Sequence, residues 1–141
     1  MFTSKSSVAV IGLGTFGIAL ARSLTEKGAR VLGIDTSQHL VDRFHAELDN
    51  TIRADATDER ALRECAIDDQ DIVVIAIGSD VQACLLGTYT AKKLGAERIY
   101  AKAQTHAQKA ILESIGVDGV IMPEMETGER AAEDILSSPE S

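Results

Sequence analysis

The chain has 141 residues, 45% of them hydrophobic and 26% charged, with a net charge of −8; this is the size of one domain with a sizeable core and an ordinary composition for an α/β protein. The acidic balance, and aromatics at only 4%, argue against a nucleic-acid partner, because neither a phosphate-neutralising surface nor a stacking platform is evident. The longest apolar run, Ile72 to Ile77, is too short to span a bilayer, and MFTSKSS at the N-terminus has no signal-type apolar stretch, so the chain reads as cytoplasmic, with the isolated Cys65 and Cys84 as buried thiols in a reducing compartment.

The first predicted strand, 7–11, runs apolar from Val8 to Ile11 and breaks into IGLGTFG. A helix over 15–27 follows, with Ile18, Leu20, Ala21 and Leu24 at helical spacing and Gly28 as its stop. A second strand, 30–34, then leads into Asp35, eighteen residues past Gly17. Strand, Gly-x-Gly-x-x-Gly turn, helix, strand and acid in this order form a nucleotide-binding βαβ unit. Gly12 permits the tight turn, Gly14 lets a phosphate approach the backbone, and Gly17 lets helix and strand pack closely. The helix N-terminus offers unpaired N–H groups and a partial positive charge to a phosphate. Asp35 can accept hydrogen bonds from ribose hydroxyls. The candidate site for an adenine nucleotide therefore begins with Gly12, Leu13, Gly14, Thr15, Phe16 and Gly17, together with Asp35 and Thr36. A glycine-rich turn that merely packs a helix is the alternative.

Strand-like and helix-like patterns then alternate to the end. Further strands are predicted at 50–53, 71–76, 98–101 and 119–122, and helices at 37–48, 58–66, 80–94, 105–115 and 124–136. The strands are short and rich in Val and Ile, as expected of a parallel sheet buried on both faces. Asp58, Ser79 or Asp80, and Thr105 stand where helix caps belong, and Gly95 and Gly116 where helices stop. Six βα units in this order predict a Rossmann-type α/β fold: a doubly wound, parallel, six-stranded sheet in the order 3-2-1-4-5-6, with ligand outside the carboxyl ends of strands 1 and 4. The domain is expected over 1–136, closing on a C-terminal crossover helix, with a disordered tail at 137–141.

Other candidates fall on the same edge of the predicted sheet. After strand 3, Asp55 can accept from an adenine amino group, the Ala56 backbone can donate to a ring nitrogen, and Thr57 adjoins them; Asp and Thr also make ordinary caps. After strand 4, Ile77 and Gly78 offer apolar surface and exposed backbone to base and ribose, unless Gly78 only makes the turn. Lys102 ends strand 5, either as a cation for phosphate oxygens or as an exposed lysine at a strand end. Glu124 follows Pro123 at the start of the last helix, where the helix dipole favours a carboxylate; it is also a candidate ligand for a hard cation shared with another subunit. In that helix Met125, Gly128, Ala132 and Ile135 share a stripe that either packs on its own sheet or docks on a partner. His39, His45 and His106 are scattered, with no nucleophilic triad around them. Tyr89 and Lys93 fit Tyr-x-x-x-Lys, the pair of short-chain dehydrogenases, but stand mid-helix after strand 4 and behind a glycine turn of different spacing.

Taken together, IGLGTFG, VLGID, ADATD, VVIAIG, YAKAQ, LESIGVDGVIMPE and METGERAAEDIL resemble the RCK N-lobe, also called the KTN or TrkA-N domain, of the KtrA/TrkA-type subunits of potassium-uptake systems. The resemblance implies a non-enzymatic regulator that binds NAD(H), ATP, ADP or AMP. It implies homodimers, formed through the last helix, that assemble into an octameric ring beneath a membrane potassium-translocating subunit. Such a protein is cytoplasmic and peripheral to the inner face of the membrane through that partner. The same resemblance assigns the nucleotide to the residues above through Lys102, and a divalent cation between subunits to Glu124. Two departures stand out. Thr15 occupies a position where many ATP-responsive members carry Arg, and the sequence stops after the crossover helix, where members usually continue into a C-lobe. The cofactor domain of an NAD-dependent oxidoreductase, or a regulator of another transporter such as an antiporter, are the competing functions.

Overall fold

The computed structural model describes residues 6–137 and Pro139. The strands are β1 (Ser7–Ile11), β2 (Arg30–Asp35), β3 (Asn50–Arg53), β4 (Ile72–Ile75), β5 (Ile99–Lys102) and β6 (Gly119–Ile121). The helices are α1 (Thr15–Glu26), α2 (Gln38–Phe44), α3 (Glu59–Glu64), α4 (Val81–Lys93), α5 (His106–Ile115) and α6 (Pro123–Leu136). The sheet runs β3-β2-β1-β4-β5-β6 with every pairing parallel, the order predicted from the motif. β1 lies in the middle, with Val8 opposite both Val31 and Ile72.

The unbroken apolar runs are explained by burial on two faces. Val8 and Val10 pack with Ile18, Ala21, Phe44 and Leu48 beneath α1 and α2. Ala9 and Ile11, pointing the other way, join Leu62, Cys84, Ala91 and Leu112 of α3, α4 and α5. Each fully buried Ile or Leu here contributes about 1.5–3 kcal/mol over the exposed side chain. Cys65 and Cys84 are free and buried, and burial pushes both thiols up, away from reactivity.

Some boundaries differ from expectation. α2 stops at Phe44, not 48, because the chain turns there to deliver Leu48 into the core. α3 stops at Glu64: Ala66 takes a left-handed conformation at φ 55°, and a short 3-10 turn, Ile67–Asp69, drops Ile67 into the core. α6 has no buried residue; Met125 packs partly against the core, while Ile135 and Leu136 are 68% and 83% exposed. The expected stripe thus meets its own domain only at Met125. Ser137 closes α6 through its N–H to the Glu133 carbonyl; of the expected tail, Ser138, Glu140 and Ser141 lie outside the described residues.

The amino ends of the strands are finished by acids. Asp71 accepts from Ser7 N–H at 2.9 Å, Asp49 from Val31 N–H at 2.8 Å and Asp118 from Ile99 N–H at 2.8 Å. Each acid directly precedes one strand and receives an amide from the neighbouring strand.

Candidate functional site

At the opposite end, the β1–α1 turn is built on two close approaches. Gly12 sits at φ +106°, and a Cβ there would lie 2.9 Å from the Ala76 carbonyl at the end of β4. A Cβ on Gly17 would run into the Gly12 carbonyl oxygen. Gly14 differs: a Cβ there meets nothing within 4 Å, so its missing side chain faces open space, as a position reserved for a ligand requires. Gly14 is also the N-cap of α1 and supplies no side-chain cap. α2, α3, α4 and α5 are capped by the side chains of Ser37, Asp58, Asp80 and Thr105, whereas α1 and α6 have no side-chain cap.

Asp35 has a second job. Its Oδ2 accepts from Leu13 N–H at 2.7 Å and its Oδ1 from Ser37 N–H at 2.8 Å. The carboxylate expected to meet a ribose therefore also fixes the turn that would meet the phosphate, and each oxygen keeps a further lone pair.

These elements surround a cleft of about 680 Å³ at the carboxyl ends of β1 to β5, within the range of small-molecule sites. The structure brings Gly12, Gly14, Thr15, Phe16, Asp35, Thr36, Asp55, Ala56, Thr57, Ile77, Gly78 and Lys102 to its walls. Leu13 and Gly17 do not line the cleft. The Leu13 side chain is 1% exposed in the core beneath α1 and α2, so only its backbone serves the turn, and Gly17 is buried against Gly12. Sequence reasoning missed Leu40, Ala54, Ser79, Asp80 and Ala83. Ser79 and Asp80 were legible as cap positions, and Asp80 does cap α4 through Ala83 N–H at 2.9 Å; nothing local marked Leu40.

Asp55 Oδ1 accepts both the Thr57 N–H at 2.9 Å and the Thr57 hydroxyl at 2.7 Å. These bonds, the backbone one foremost, hold the carboxyl below its ordinary value. Lys102 is neither an exposed lysine nor a bare cation. Its side chain is 10% exposed, and Nζ lies 2.9 Å from Glu124 Oε1 and 5.6 Å from the Phe16 ring centroid. A Cβ on Gly78 would lie 3.2 Å from that Nζ, so Gly78 makes room for the ammonium. Glu124, 59% exposed and outside the cleft walls, is held below the usual carboxylate range chiefly by its hydrogen bond to Lys102. The strand segment carrying Lys102 is fixed by Gln108, whose Nε2 donates to the Lys102 carbonyl at 3.4 Å and whose Oε1 accepts from Gln104 N–H at 2.9 Å.

Glu124 does not make a cation site within this chain. Its Oε1 is engaged by Lys102, and no group of three His, Cys, Asp or Glu able to hold a metal occurs among the described residues. Tyr89 and Lys93 do not reach the cleft: Tyr89 is 56% exposed and Lys93 pairs with Glu59 at 2.9 Å. His45 Nδ1 lies 3.1 Å from Thr51 Oγ1, and no histidine lines the cleft. No helix among the described residues is long and apolar enough to cross a membrane.

Comparisons with known proteins give the family and the fold. The TrkA-N domain family model matches residues 8–123. The chain is 39% identical over 136 residues to Ktr system potassium uptake protein A of Vibrio alginolyticus, covering 96% of this chain and 62% of that one. It is 34% identical over 134 residues to Ktr system potassium uptake protein C of Bacillus subtilis, covering 95% and 61%. The chain thus spans about three fifths of the length of these relatives. Among solved structures, the NAD(P)-binding domain of an exopolyphosphatase-related protein from Archaeoglobus fulgidus superposes with TM-score 0.81 at 22% identity, covering 95% of this chain and all of that one. GsuK bound to ADP superposes with TM-score 0.78 at 24% identity, covering 94% and 34%. These two likenesses establish the Rossmann-like fold.

Proposed function

The chain belongs to the TrkA-N domain family, and from that premise we propose that it is the nucleotide-sensing lobe of a regulatory subunit in a potassium-uptake system. The observation that carries the ligand half of this reading is the cleft itself. It joins an uncapped α1, a Gly14 open to solvent, and the carboxylates of Asp35 and Asp55 in one cavity. In the proposed pose the α1 amides hold phosphate, Asp35 holds ribose, and Asp55 with the Ala56 amide holds adenine. The ligand class is an adenine nucleotide, NAD(H), ATP, ADP or AMP; the ADP on GsuK supports it. The potassium half rests on the Ktr relatives.

The proposed partners are a second copy of the chain, contacted through the largely uncovered α6, a ring of such dimers, and a membrane potassium-translocating subunit that holds the ring at the inner face. A ligand acts on such an assembly only through its differential affinity for two arrangements of the ring. No catalytic role is assigned to any cleft residue.

The test is a calorimetric titration of the protein with ATP, ADP, AMP, NAD and NADH, repeated on Gly14→Ala. Saturable binding without turnover, weakened at least about tenfold by a methyl group at Gly14, is expected (about 1.4 kcal/mol). Affinity untouched by Gly14→Ala would move the ligand away from this turn, and no binding of any of the five would end the nucleotide reading.

A further inference from the structure

Among the described residues that line the cleft, Lys102 is the one cation, so no second side chain makes good an error in its aim. The aim is narrow. The side chain is 10% exposed, its Nζ lies 5.6 Å from the Phe16 ring centroid, and a Cβ on Gly78 would lie 3.2 Å from that Nζ. The sheet alone does not hold the residue it grows from. On the β4 side the ladder ends at the pair Ile75–Ala101. The Lys102 carbonyl accepts from two side chains, Gln108 Nε2 at 3.4 Å and Cys84 Sγ at 3.5 Å, of which the thiol is the weaker donor. Gln108, in the first turn of α5 and 5% exposed, also accepts the Gln104 N–H at 2.9 Å through Oε1. One carboxamide, donor and acceptor at once, thus clamps the backbone on both sides of Ala103.

Resting on the nucleotide reading above, we propose that Gln108, which does not line the cleft, is a positioning residue for nucleotide phosphates: it fixes the end of β5 so that Lys102 meets the phosphates beyond the first. The α1 amides serve the first phosphate of every adenine nucleotide alike. Phosphates added to it rely on the Lys102 ammonium, which stands beside Phe16 in the first turn of α1. Of its three N–H groups Glu124 engages one, and the others are donors for phosphate oxygens. A binding group is effective only when held within about 0.5 Å of its productive place. Burial gives the carboxamide its leverage. The bond from Gln108 to the Lys102 carbonyl is buried, so a carbonyl deprived of it must find another partner, and the strand end moves with it. Lys102 is carried along, away from the slot between Phe16 and Gly78. Gln108 thus acts on phosphate binding through Lys102 and touches no ligand itself.

The experiment is calorimetry of the intact chain with AMP, ADP and ATP, on the wild type, Gln108→Met, Lys102→Met, the double variant and Thr105→Ala. Methionine keeps the length of glutamine and removes both hydrogen bonds. Thr105→Ala removes the cap that accepts Gln108 N–H at 3.1 Å and leaves the clamp, so it controls for a loosened start of α5. Gln108→Met is expected to weaken ADP and ATP about three- to tenfold and AMP less than about twofold. On the Lys102→Met background it should weaken none of the three further, because a residue acting through Lys102 has nothing left to act on. Thr105→Ala should leave the ratio of ADP to AMP affinity as in the wild type. An equal loss across the three ligands, an additive loss on the Lys102→Met background, or a ratio shift matched by Thr105→Ala would each make Gln108 a structural residue only and overturn the proposal. ADP and ATP affinities untouched by either methionine variant would overturn it as well. Should Gln108→Met not fold, Gln108→Asn, polar but too short to span both partners, is read in its place. If the wild type bound none of the three, the nucleotide reading itself would fall, an outcome distinct from binding that ignores Gln108.

Discussion

At the amino ends of the strands, Asp71, Asp49 and Asp118 accept the amides of Ser7, Val31 and Ile99 at the starts of β1, β2 and β5. At the carboxyl ends, glycines make the turn after β1 and no side chain caps α1. Both ends face the same problem, backbone N–H groups with no partner in the ladder or helix, and they differ at α1. The amino end satisfies its donors internally and is finished. The carboxyl end closes many of its donors too, Leu13 and Ser37 N–H through Asp35 and Thr57 N–H through Asp55 among them, but it leaves α1 without a side-chain cap. The difference between scaffold and site in this domain is therefore a difference in which donors are closed from within, which makes it open to test by substitution.

Gly17→Ala should produce the largest effect. Its Cβ has no place beside the Gly12 carbonyl, and relief would require α1 to part from the sheet. A loss of at least about 3 kcal/mol in urea unfolding is expected, the upper part of the range for overpacked cores. Gly14→Ala, three residues earlier, should unfold within about 0.5 kcal/mol of wild type, as substitutions in open space do. One Gly→Ala change breaks the scaffold and the other should spare it while weakening the proposed site. Equal stabilities for the two variants would erase the distinction between packing glycine and ligand glycine.

Asp71→Ala sharpens the comparison from the other end. It removes the acceptor for the Ser7 N–H and hydroxyl, at a cost of about 1–2 kcal/mol for partly buried donors left unpaired. Nucleotide affinity, read at the far end of the strands, should not move. A stability loss with affinity intact would mark the amino end as scaffold alone; a matching fall in affinity would show that the two ends are not separable.

How far the sequence reached follows the same division. Features written in local pattern were legible: the alternation of elements, the Gly-x-Gly-x-x-Gly turn, the acid after β2, the caps at Asp58 and Thr105, and through them the strand order. What stayed hidden needs a second residue distant in the chain. Lys102 and Glu124 were each singled out, for phosphate and for a cation, yet their pairing across the β5–α6 gap gives both a different setting. Asp35 was read for its ligand role, while its hold on Leu13 N–H depends on how the turn folds back. Leu13 itself sat inside the motif and proved to be core, because a motif marks backbone positions and not where their side chains point. The early end of α2 and the left-handed Ala66 had no marker either: HAEL continues a helical pattern, and alanine does not announce a positive φ.

The Lys102–Glu124 pair also yields the smallest effect and its sign. Glu124 is held below the ordinary glutamate range by the Lys102 hydrogen bond, so the folded state binds its proton less readily than the unfolded chain. For a depressed carboxylate the stabilisation is present above the unfolded value, about 4.3 for glutamate, and is lost as pH falls through the folded value. Exposure of Glu124 keeps the contribution within the few tenths to about 1 kcal/mol typical of solvent-screened pairs. The stability difference between wild type and Glu124→Gln, measured by urea unfolding at low salt, should therefore be constant from pH 7 to about pH 5 and close below about pH 4. A difference that widened toward acid would mean that the carboxylate, not its protonated form, is the disfavoured partner in the folded state.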